Sequence, residues 1–210
     1  IDLMTDFNKI NKIIKDYNHG KKDIAYSKLK KIFIKNQDNN KIRYNLAIME
    51  QELNLNVEAK NNYKYLIESE NNHKAMINLY NIYIKEENYI EALNLVNNIL
   101  KINKNILPLY QDKVFLIYKL KRYEEARKLC NTLIKQYPKN INYYNIIGLC
   151  YLEIGDFDNS EKYLNTALAI EKNNIQLLNS LGRLNHEKRN SKKAEEFFLK
   201  ALDIDSNSYQ

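Results

Sequence analysis

The sequence predicts an all-α fold made of repeated helical hairpins. Apolar and small residues recur at helical spacing in two runs of segment 141–174, and a Gly155-Asp156 break separates the runs. The same arrangement returns in 175–208, which gives a period of 34 residues. With only 4 Gly and 2 Pro in 210 residues, the chain lacks the turn residues of a sheet-rich fold. We therefore expect an all-α chain of stacked helix-turn-helix units.

One marker divides the chain into six repeats, a small residue early in each second helix. It occurs as Ala25, Ala59, Ala92, Ala126, Ser160 and Ala194. A small side chain at this place lets the two helices of a hairpin approach closely. The predicted repeats are 6–39, 40–72, 73–106, 107–140, 141–174 and 175–208, within a single domain over 1–210. The second repeat is one residue short near Asn71-Asn72, and we expect the deletion to lie in the connecting turn.

The later repeats match the residue pattern of a known family. Repeat five holds bulky, small and aromatic residues in the order Tyr144, Ile147, Gly148, Tyr151, Ser160, Leu164 and Ala167. Repeat six holds Leu178, Leu181, Gly182, Ala194, Phe198 and Ala201 at the same places, and repeat four holds Tyr110, Ala126 and Pro138. The spacing resembles the tetratricopeptide repeat. This resemblance is specific for the fold and implies an α-α superhelix, a right-handed solenoid of helix-turn-helix hairpins. It also implies binding of other polypeptides without naming the partner.

The front of the chain departs from that pattern. Repeat one has Ile13 where a small residue is usual and Asp16 where an aromatic residue is usual. Repeat two has Glu50 at the same aromatic place. Terminal repeats are often atypical because one face meets water. We therefore expect repeat one to act as a cap or as a weak first unit.

At the other end, little sequence follows repeat six. We expect Phe198, Ala201 and Leu202 to form an exposed apolar flank. Such a flank favours further repeats in a longer protein, a solvating rearrangement, or self-association through the last repeat.

Reactive side chains form no recognisable site. His19, His73 and His186 are spread over three repeats and are interpreted as surface polar groups. The four glycines form no phosphate-binding loop, and no nucleophile motif is present. We predict no catalytic residue, no metal site and no cofactor, so the chain is not expected to be an enzyme.

Two smaller features have plain structural interpretations. Cys130 and Cys150 are expected to be buried thiols in adjacent repeats, with a disulfide or redox pair as the alternative that export would favour. Asp156-Phe157-Asp158 is expected to form the turn and N-terminal cap of a helix rather than a metal loop.

The net charge of +7 has two explanations. An AT-rich genome favours Lys, Asn, Ile and Tyr in any protein, while an acidic partner would select for basic residues. The lysine run of repeat one, Lys28, Lys30, Lys31 and Lys35, is predicted to be a solvated face. Nucleic-acid binding needs a continuous basic stripe, and repeat five interrupts one with five acidic against two basic residues.

The resemblance implies a concave groove lined by the first helices. The predicted groove residues are Tyr17, Tyr44, Ile48, Asn81, Lys85, Gln111, Phe115, Tyr118, Lys119, Asn145, Leu149 and Arg183. Apolar side chains mixed with amides suit a bound peptide or helix. The family's clamp for a C-terminal carboxylate is not predicted, because Asn45 and Lys74 fit it while Ile10, Ile14 and Asn78 do not.

The sequence thus predicts a non-catalytic scaffold that binds a peptide or helix of a partner protein. A docking region of a larger enzyme or assembly is the first alternative, and an RNA-binding helical repeat is the second. No apolar run approaches the roughly 18 residues that a membrane span requires. The start of the chain lacks the layout of a secretory signal, so we expect a cytoplasmic protein, with an exported form that has lost its leader as the alternative.

Overall fold

The computed structural model describes residues 3–102 and 106–207, with side chains described for 8–102 and 106–206. Within these ranges the chain forms α-helices and no β-strand, which confirms the all-α prediction. The helices are α1 (Leu3–Asn18), α2 (Lys22–Lys35), α3 (Asn40–Glu52), α4 (Asn56–Glu70), α5 (His73–Lys85), α6 (Tyr89–Ile102), α7 (Leu107–Lys119), α8 (Tyr123–Gln136), α9 (Ile141–Glu153), α10 (Phe157–Ile170), α11 (Ile175–Glu187) and α12 (Ser191–Asn207). Two consecutive helices fall in each predicted repeat.

The turn inside each hairpin has one geometry throughout the chain. It is three residues long in every repeat, and its middle residue has a positive φ. The middle residues are Gly20, Asn54, Glu87, Lys121, Gly155 and Arg189, with φ between 54° and 90°. Glycine adopts this left-handed conformation freely, whereas a side chain with a Cβ is strained there. Three of the six turns therefore hold a charged residue in a conformation that favours glycine.

Asparagine begins many of the first helices. Asn39, Asn72, Asn140 and Asn174 are N-caps whose side-chain oxygens accept hydrogen bonds from backbone N–H groups of α3, α5, α9 and α11. Such caps satisfy donors that have no partner inside the helix. The asparagine content of the sequence thus serves a structural purpose at the hairpin junctions.

The single-residue deletion lies in a connecting turn, as predicted. Residues 137–140 and 171–174 join consecutive hairpins with four residues, whereas only Asn71 and Asn72 join α4 to α5. Helix α4 is one residue longer than α2, α8 and α10, so the net loss is one residue. Asn71 adopts a left-handed conformation with φ of 53°, which allows the short connection.

The chain divides into two compact units, residues 1–95 and residues 96–210, and the division falls within α6. The largest fully buried side chains of the first unit are Leu29, Leu46, Tyr63, Leu66 and Leu79. Those of the second unit are Leu116, Tyr143, Ile117, Ile147, Leu164, Leu177 and Leu178. Each unit is described by itself below, and a single solenoid domain over the whole chain stays a prediction.

The small residues predicted at the contact between the two helices of each hairpin are buried there. All six marker residues, from Ala25 to Ala194, are buried, none more than 3% exposed. At Gly148 an added Cβ would lie 2.7 Å from Leu164 Cδ2, and at Gly182 it would lie 2.5 Å from the Phe198 ring. The paired helices thus approach more closely than a Cβ would allow at these two places.

Glu50 occupies an aromatic place of the repeat pattern and is buried at 2% exposure. Its carboxylate accepts a hydrogen bond of 2.7 Å from the Asn62 amide and a longer one of 3.5 Å from the Tyr26 hydroxyl. A buried carboxylate needs such donors because desolvation disfavours its charge. We name Glu50, Asn62 and Tyr26 the Glu50 cluster.

The last helix shows the predicted apolar flank only in part. Phe198 is 39% exposed and Leu202 is more exposed, as expected. Ala201 is buried instead, so its assignment to the flank was wrong. Helix α12 packs against α11, and its small residues face that contact.

Candidate functional site

Four of the five groove residues predicted in the first unit lie together. Tyr44 and Ile48 on α3 and Asn81 and Lys85 on α5 line an open cleft of about 530 Å³ between these two helices. Each helix is the first of its hairpin, so the cleft lies on the surface that the sequence predicted. We name it the α3/α5 cleft.

Tyr17, the fifth predicted residue, does not reach this cleft. Its side chain is buried in a core cluster with Ile42, Leu46 and Met49, and its hydroxyl donates a 3.5 Å hydrogen bond to the Met49 carbonyl. Burial, with a smaller contribution from Glu52, raises the pKa of Tyr17 to about 12. Tyr17 therefore packs against α3 in the core and is not available to a ligand.

Amide groups dominate the polar lining of the α3/α5 cleft. Besides Asn81, the lining includes Gln51, Asn54, Asn56 and Asn78. The Asn78 amide donates to the hydroxyls of Tyr44 at 3.3 Å and Tyr63 at 3.2 Å, and the Tyr63 hydroxyl donates to Gln51 at 2.9 Å. Burial raises the pKa of Tyr63, so this hydroxyl remains a neutral donor.

The sequence analysis placed only Asn81 of these amides in the groove and considered Asn78 only for the carboxylate clamp. Asparagine occurs throughout the chain, so nothing in the sequence distinguishes Gln51, Asn54 and Asn56 as lining residues.

The groove residues predicted in the second unit lie on α7, α9 and α11. On α7, Phe115 is 37% exposed and the Lys119 ammonium lies 5.6 Å from the centre of its ring. Gln111 and Tyr118 on the same helix are half-buried. Asn145 and Leu149 on α9 are buried, so they lie beneath the surface.

The third helix of this set contributes Arg183, whose guanidinium is already paired. It donates a 2.9 Å hydrogen bond to Oε1 of Glu153, and the Tyr118 hydroxyl donates to the same oxygen at 3.1 Å. Burial, opposed by the hydrogen bond from Arg183, raises the pKa of Tyr118 to about 12. We name Tyr118, Glu153 and Arg183 the Glu153 bridge.

Glu153 was missed by the sequence analysis. It lies at the C-terminal end of α9, one repeat after Tyr118 and one repeat before Arg183. The signal in the sequence that could have identified Glu153 is an acidic residue and a basic residue, Glu153 and Arg183, in the first helices of successive repeats.

Asn145 carries a polar atom without a partner. Its Oδ1 is buried and, among the residues that the structure describes, accepts no hydrogen bond. Leaving a buried acceptor unsatisfied costs about 1–3 kcal/mol. This amide lies on α9, the helix between α7 and α11 in the order of first helices.

His19, His73 and His186 are exposed, as predicted. In the described part of the chain no group of three potential metal ligands is found. Cys130 and Cys150 are free buried thiols, and burial raises the pKa of Cys150 to about 12. The Asp156 side chain caps α10 by accepting a 3.2 Å hydrogen bond from the Asn159 backbone N–H.

Comparison with known families identifies the repeat. Two family models, both described as Tetratricopeptide repeat, match residues 83–150 and 140–207. The chain is a tetratricopeptide repeat protein. Its paired helices, buried small residues and close helix contacts at Gly148 and Gly182 agree with this family.

Solved structures of other tetratricopeptide repeat proteins share the fold. A fragment of MamA from Desulfovibrio magneticus RS-1 is 19% identical, with a TM-score of 0.60, over 80% of this chain and 96% of that chain. A tetratricopeptide repeat protein from Parabacteroides merdae is 20% identical, with a TM-score of 0.62, over 93% of this chain and 77% of that chain. A thermophilic tetratricopeptide repeat protein from Thermus thermophilus is 19% identical, with a TM-score of 0.58, over 79% of this chain and 91% of that chain.

Two further findings concern the relatives of this tetratricopeptide repeat protein and the length of its helices. No curated protein matches the sequence. In the described residues, every helix is too short or too polar to span a bilayer.

Proposed function

We propose that this protein is a non-catalytic scaffold that binds a segment of a partner protein on the surface of its first helices. The observation that carries the proposal is the α3/α5 cleft, in which a tyrosine, two isoleucines and five amide side chains line one open volume. Apolar groups supply burial on binding, while amides donate and accept hydrogen bonds with a peptide backbone.

The size of the cleft suits several side chains of a peptide. Its volume of about 530 Å³ lies within the roughly 300–1,000 Å³ that ligand pockets usually offer. Lys85 is exposed at its edge and favours acidic residues in the partner. Glu52 also lines the cleft, but Lys22 pairs with it at 3.1 Å and reduces its repulsion of such residues.

The second unit offers a separate anchor. Phe115 is exposed on α7 beside Lys119, and an aromatic side chain of this kind is often a main contributor to binding. We propose Tyr44, Ile48 and Phe115 as the apolar anchors, with Lys85 and Lys119 beside them. Tyr17 and Leu149 act through the core, and Arg183 contributes less charge than an unpaired arginine because Glu153 already neutralises it.

The test is capture of partner proteins from lysate of the source organism. The first variant, Asn81→Ala with Lys85→Ala, removes exposed side chains of the cleft and leaves Tyr44 in place. Its matched control, Asn61→Ala with Lys64→Ala, removes the same residue types from the exposed face of α4. Cross-linking with mass spectrometry identifies the captured proteins and the residues that they contact.

Phe115 is tested in the same way against a control of equal exposure. Phe115→Ala removes an aromatic side chain that is 37% exposed, and Tyr137→Ala does the same at 37% outside the proposed surface. We expect the surface variants to reduce capture of at least one cross-linked partner about tenfold, with the controls close to wild type. Equal capture by all variants would show that neither surface is the binding site.

A further inference from the structure

A second open cleft, of about 700 Å³, lies between α1 and α2 of the first hairpin. Two apolar residues belong to its described lining, Ile13 on α1, which is 4% exposed, and Ile32 on α2, which is half-buried. These helices do not line the α3/α5 cleft, so the two clefts are separate sites. We name this one the α1/α2 cleft.

Five lysines surround its apolar residues. Lys9 and Lys12 come from α1, and Lys28, Lys31 and Lys35 come from α2. All five side chains are exposed, and within the described residues none of their ammonium groups forms an ion pair. The cleft therefore keeps a positive charge that no described side chain neutralises.

Two further residues, Asp16 and Lys30, bear on the net charge of the cleft. Among the described residues of the lining only Asp16 is acidic, and its carboxylate lies 3.6 Å from the Lys21 ammonium, which offsets its charge. Lys30, in the middle of the lysine run, is not part of the lining and donates a 3.1 Å hydrogen bond to the Tyr26 hydroxyl. The run thus separates into one lysine that binds the hairpin and three that border the cleft.

The lysines are arranged in rows. On α1 the two positions are three residues apart, and on α2 the three positions are three and four residues apart, so each set lies on one helix face. The lining spans about two helical turns of each helix, or roughly 12 Å at about 1.5 Å per residue. An apolar strip between two basic rows is complementary to a helix whose apolar stripe has acidic residues on both sides.

We propose that the α1/α2 cleft binds an acidic amphipathic helix of a partner protein. A groove between two helices is a common seat for a third helix, which buries its apolar stripe there. A bilayer surface is flat and does not enter a concave cleft. Single-stranded nucleic acid is recognised through aromatic stacking, and none of the lining residues that the structure describes is aromatic.

A designed peptide tests the proposal directly. The probe is a fluorescein-labelled helix of about 16 residues, roughly 24 Å long, with Leu at i, i+3, i+4 and i+7 and Glu on both sides. A second probe replaces each Leu with Ala, which keeps the charge and the helical propensity but removes apolar burial. Binding to the whole chain is followed by fluorescence anisotropy at two salt concentrations.

The variants separate the cleft from the net charge of the protein. Lys12→Glu with Lys31→Glu reverses one lysine in each row, and Lys64→Glu with Lys74→Glu makes the same change of charge at exposed sites outside the cleft. Lysine and glutamate have similar helix propensities, and circular dichroism checks that both variants fold. We expect about a tenfold loss of affinity for the cleft variant, about a twofold loss for the control, and weaker binding of the Ala probe.

Three outcomes would overturn the proposal. Equal losses in the two variants would assign the binding to net charge alone. Absence of binding by the wild-type chain would remove the site. Tighter binding of phosphatidylserine vesicles or of a single-stranded RNA oligonucleotide, with the same dependence on Lys12 and Lys31, would make a membrane or a nucleic acid the occupant.

Discussion

Tyr118 and Arg183 meet at one atom, Oε1 of Glu153, to which both donate hydrogen bonds. The three residues come from α7, α9 and α11, so the Glu153 bridge links the first helices of three successive hairpins in the second unit. Arg183, predicted as a positively charged groove residue, is therefore already hydrogen-bonded to a residue of the neighbouring repeat. A partner that approaches Arg183 competes with Glu153 for the guanidinium.

We expect Glu153→Gln to change binding more than stability. Glu153 and Arg183 are substantially exposed, and exposed pairs contribute about 0.2–1 kcal/mol, so urea unfolding should show a loss below about 1 kcal/mol. Arg183 loses its counter-charge, so capture of partners with acidic segments should increase at low salt. Glu195→Gln on α12 is the matched exposed control. Unchanged capture would mean that Arg183 takes no part in binding.

Gly148 and Gly182 occupy equivalent repeat positions, yet we expect alanine to affect them differently. A Cβ at Gly148 meets Leu164, which is fully buried and cannot move aside, so Gly148→Ala should destabilise by about 1–3 kcal/mol. A Cβ at Gly182 meets the ring of Phe198, which is partly exposed and can turn outward. The helical preference of alanine, about 1 kcal/mol, should then leave Gly182→Ala close to neutral. Similar losses in thermal unfolding of both variants would contradict this distinction.

Replacing a charged residue at the centre of a hairpin turn by glycine should increase the stability of the chain. Lys121 has a φ of 59°, and release of this strain in Lys121→Gly should stabilise the chain by about 0.5–1 kcal/mol after the entropic cost of glycine. Asn54 has the same φ, but asparagine tolerates it, so Asn54→Gly is a near-neutral control. Denaturant unfolding of the two variants measures the difference. A loss of stability in Lys121→Gly would show that the lysine side chain makes a compensating contact.

Glu50 should make stability depend on pH in the direction opposite to that of a paired surface carboxylate. Burial is the largest influence on its pKa and raises it, while the hydrogen bond from Asn62 opposes the shift. On acidification the folded chain takes up this proton before the unfolded chain does, so wild type gains stability from neutral pH down to about pH 4.3, the unfolded value.

Glu50→Gln removes that titration. The free energy of unfolding of wild type minus that of the variant should therefore become more favourable to wild type as the pH falls, measured by urea unfolding at several pH values. Glu124→Gln is the control, because the hydrogen bond from Lys128 lowers the pKa of this exposed carboxylate, and the same difference should then shift against wild type as the pH falls. A difference that is constant with pH would contradict the raised pKa.

The helical architecture could be predicted from the sequence because the decisive residues are small, apolar and periodic. Small residues such as Ala25, Ala126 and Ser160 lie at contacts between paired helices. At Gly148 and Gly182 the paired helices approach more closely than a Cβ would allow. The turns could be predicted only at glycine. Glu87, Lys121 and Arg189 give no sign in the sequence that they adopt a left-handed conformation, since the hairpin geometry imposes it on them.

The candidate sites were less predictable because repeat position does not determine exposure. Tyr17 and Asn145 hold groove positions of the family pattern but are buried, as the packing around each helix decides which side chains reach the surface. Glu153 accepts hydrogen bonds from residues of the two neighbouring hairpins, and the lysines of the α1/α2 cleft come from the two helices of one hairpin. Such combinations become visible only when the helices are packed together.

The Glu50 cluster has a consequence for the interchange of repeats. Recombination within a repeat array succeeds when every junction is formed by the same apolar residues, because any hairpin then fits any neighbour. Tyr26 of the first hairpin reaches Glu50 of the second, and a duplicated or transplanted hairpin without that hydroxyl would leave the carboxylate with one donor fewer. The first two hairpins are therefore expected to be inherited as a pair, while gain and loss of units would be tolerated better where the polar contacts between hairpins are exposed, as in the Glu153 bridge.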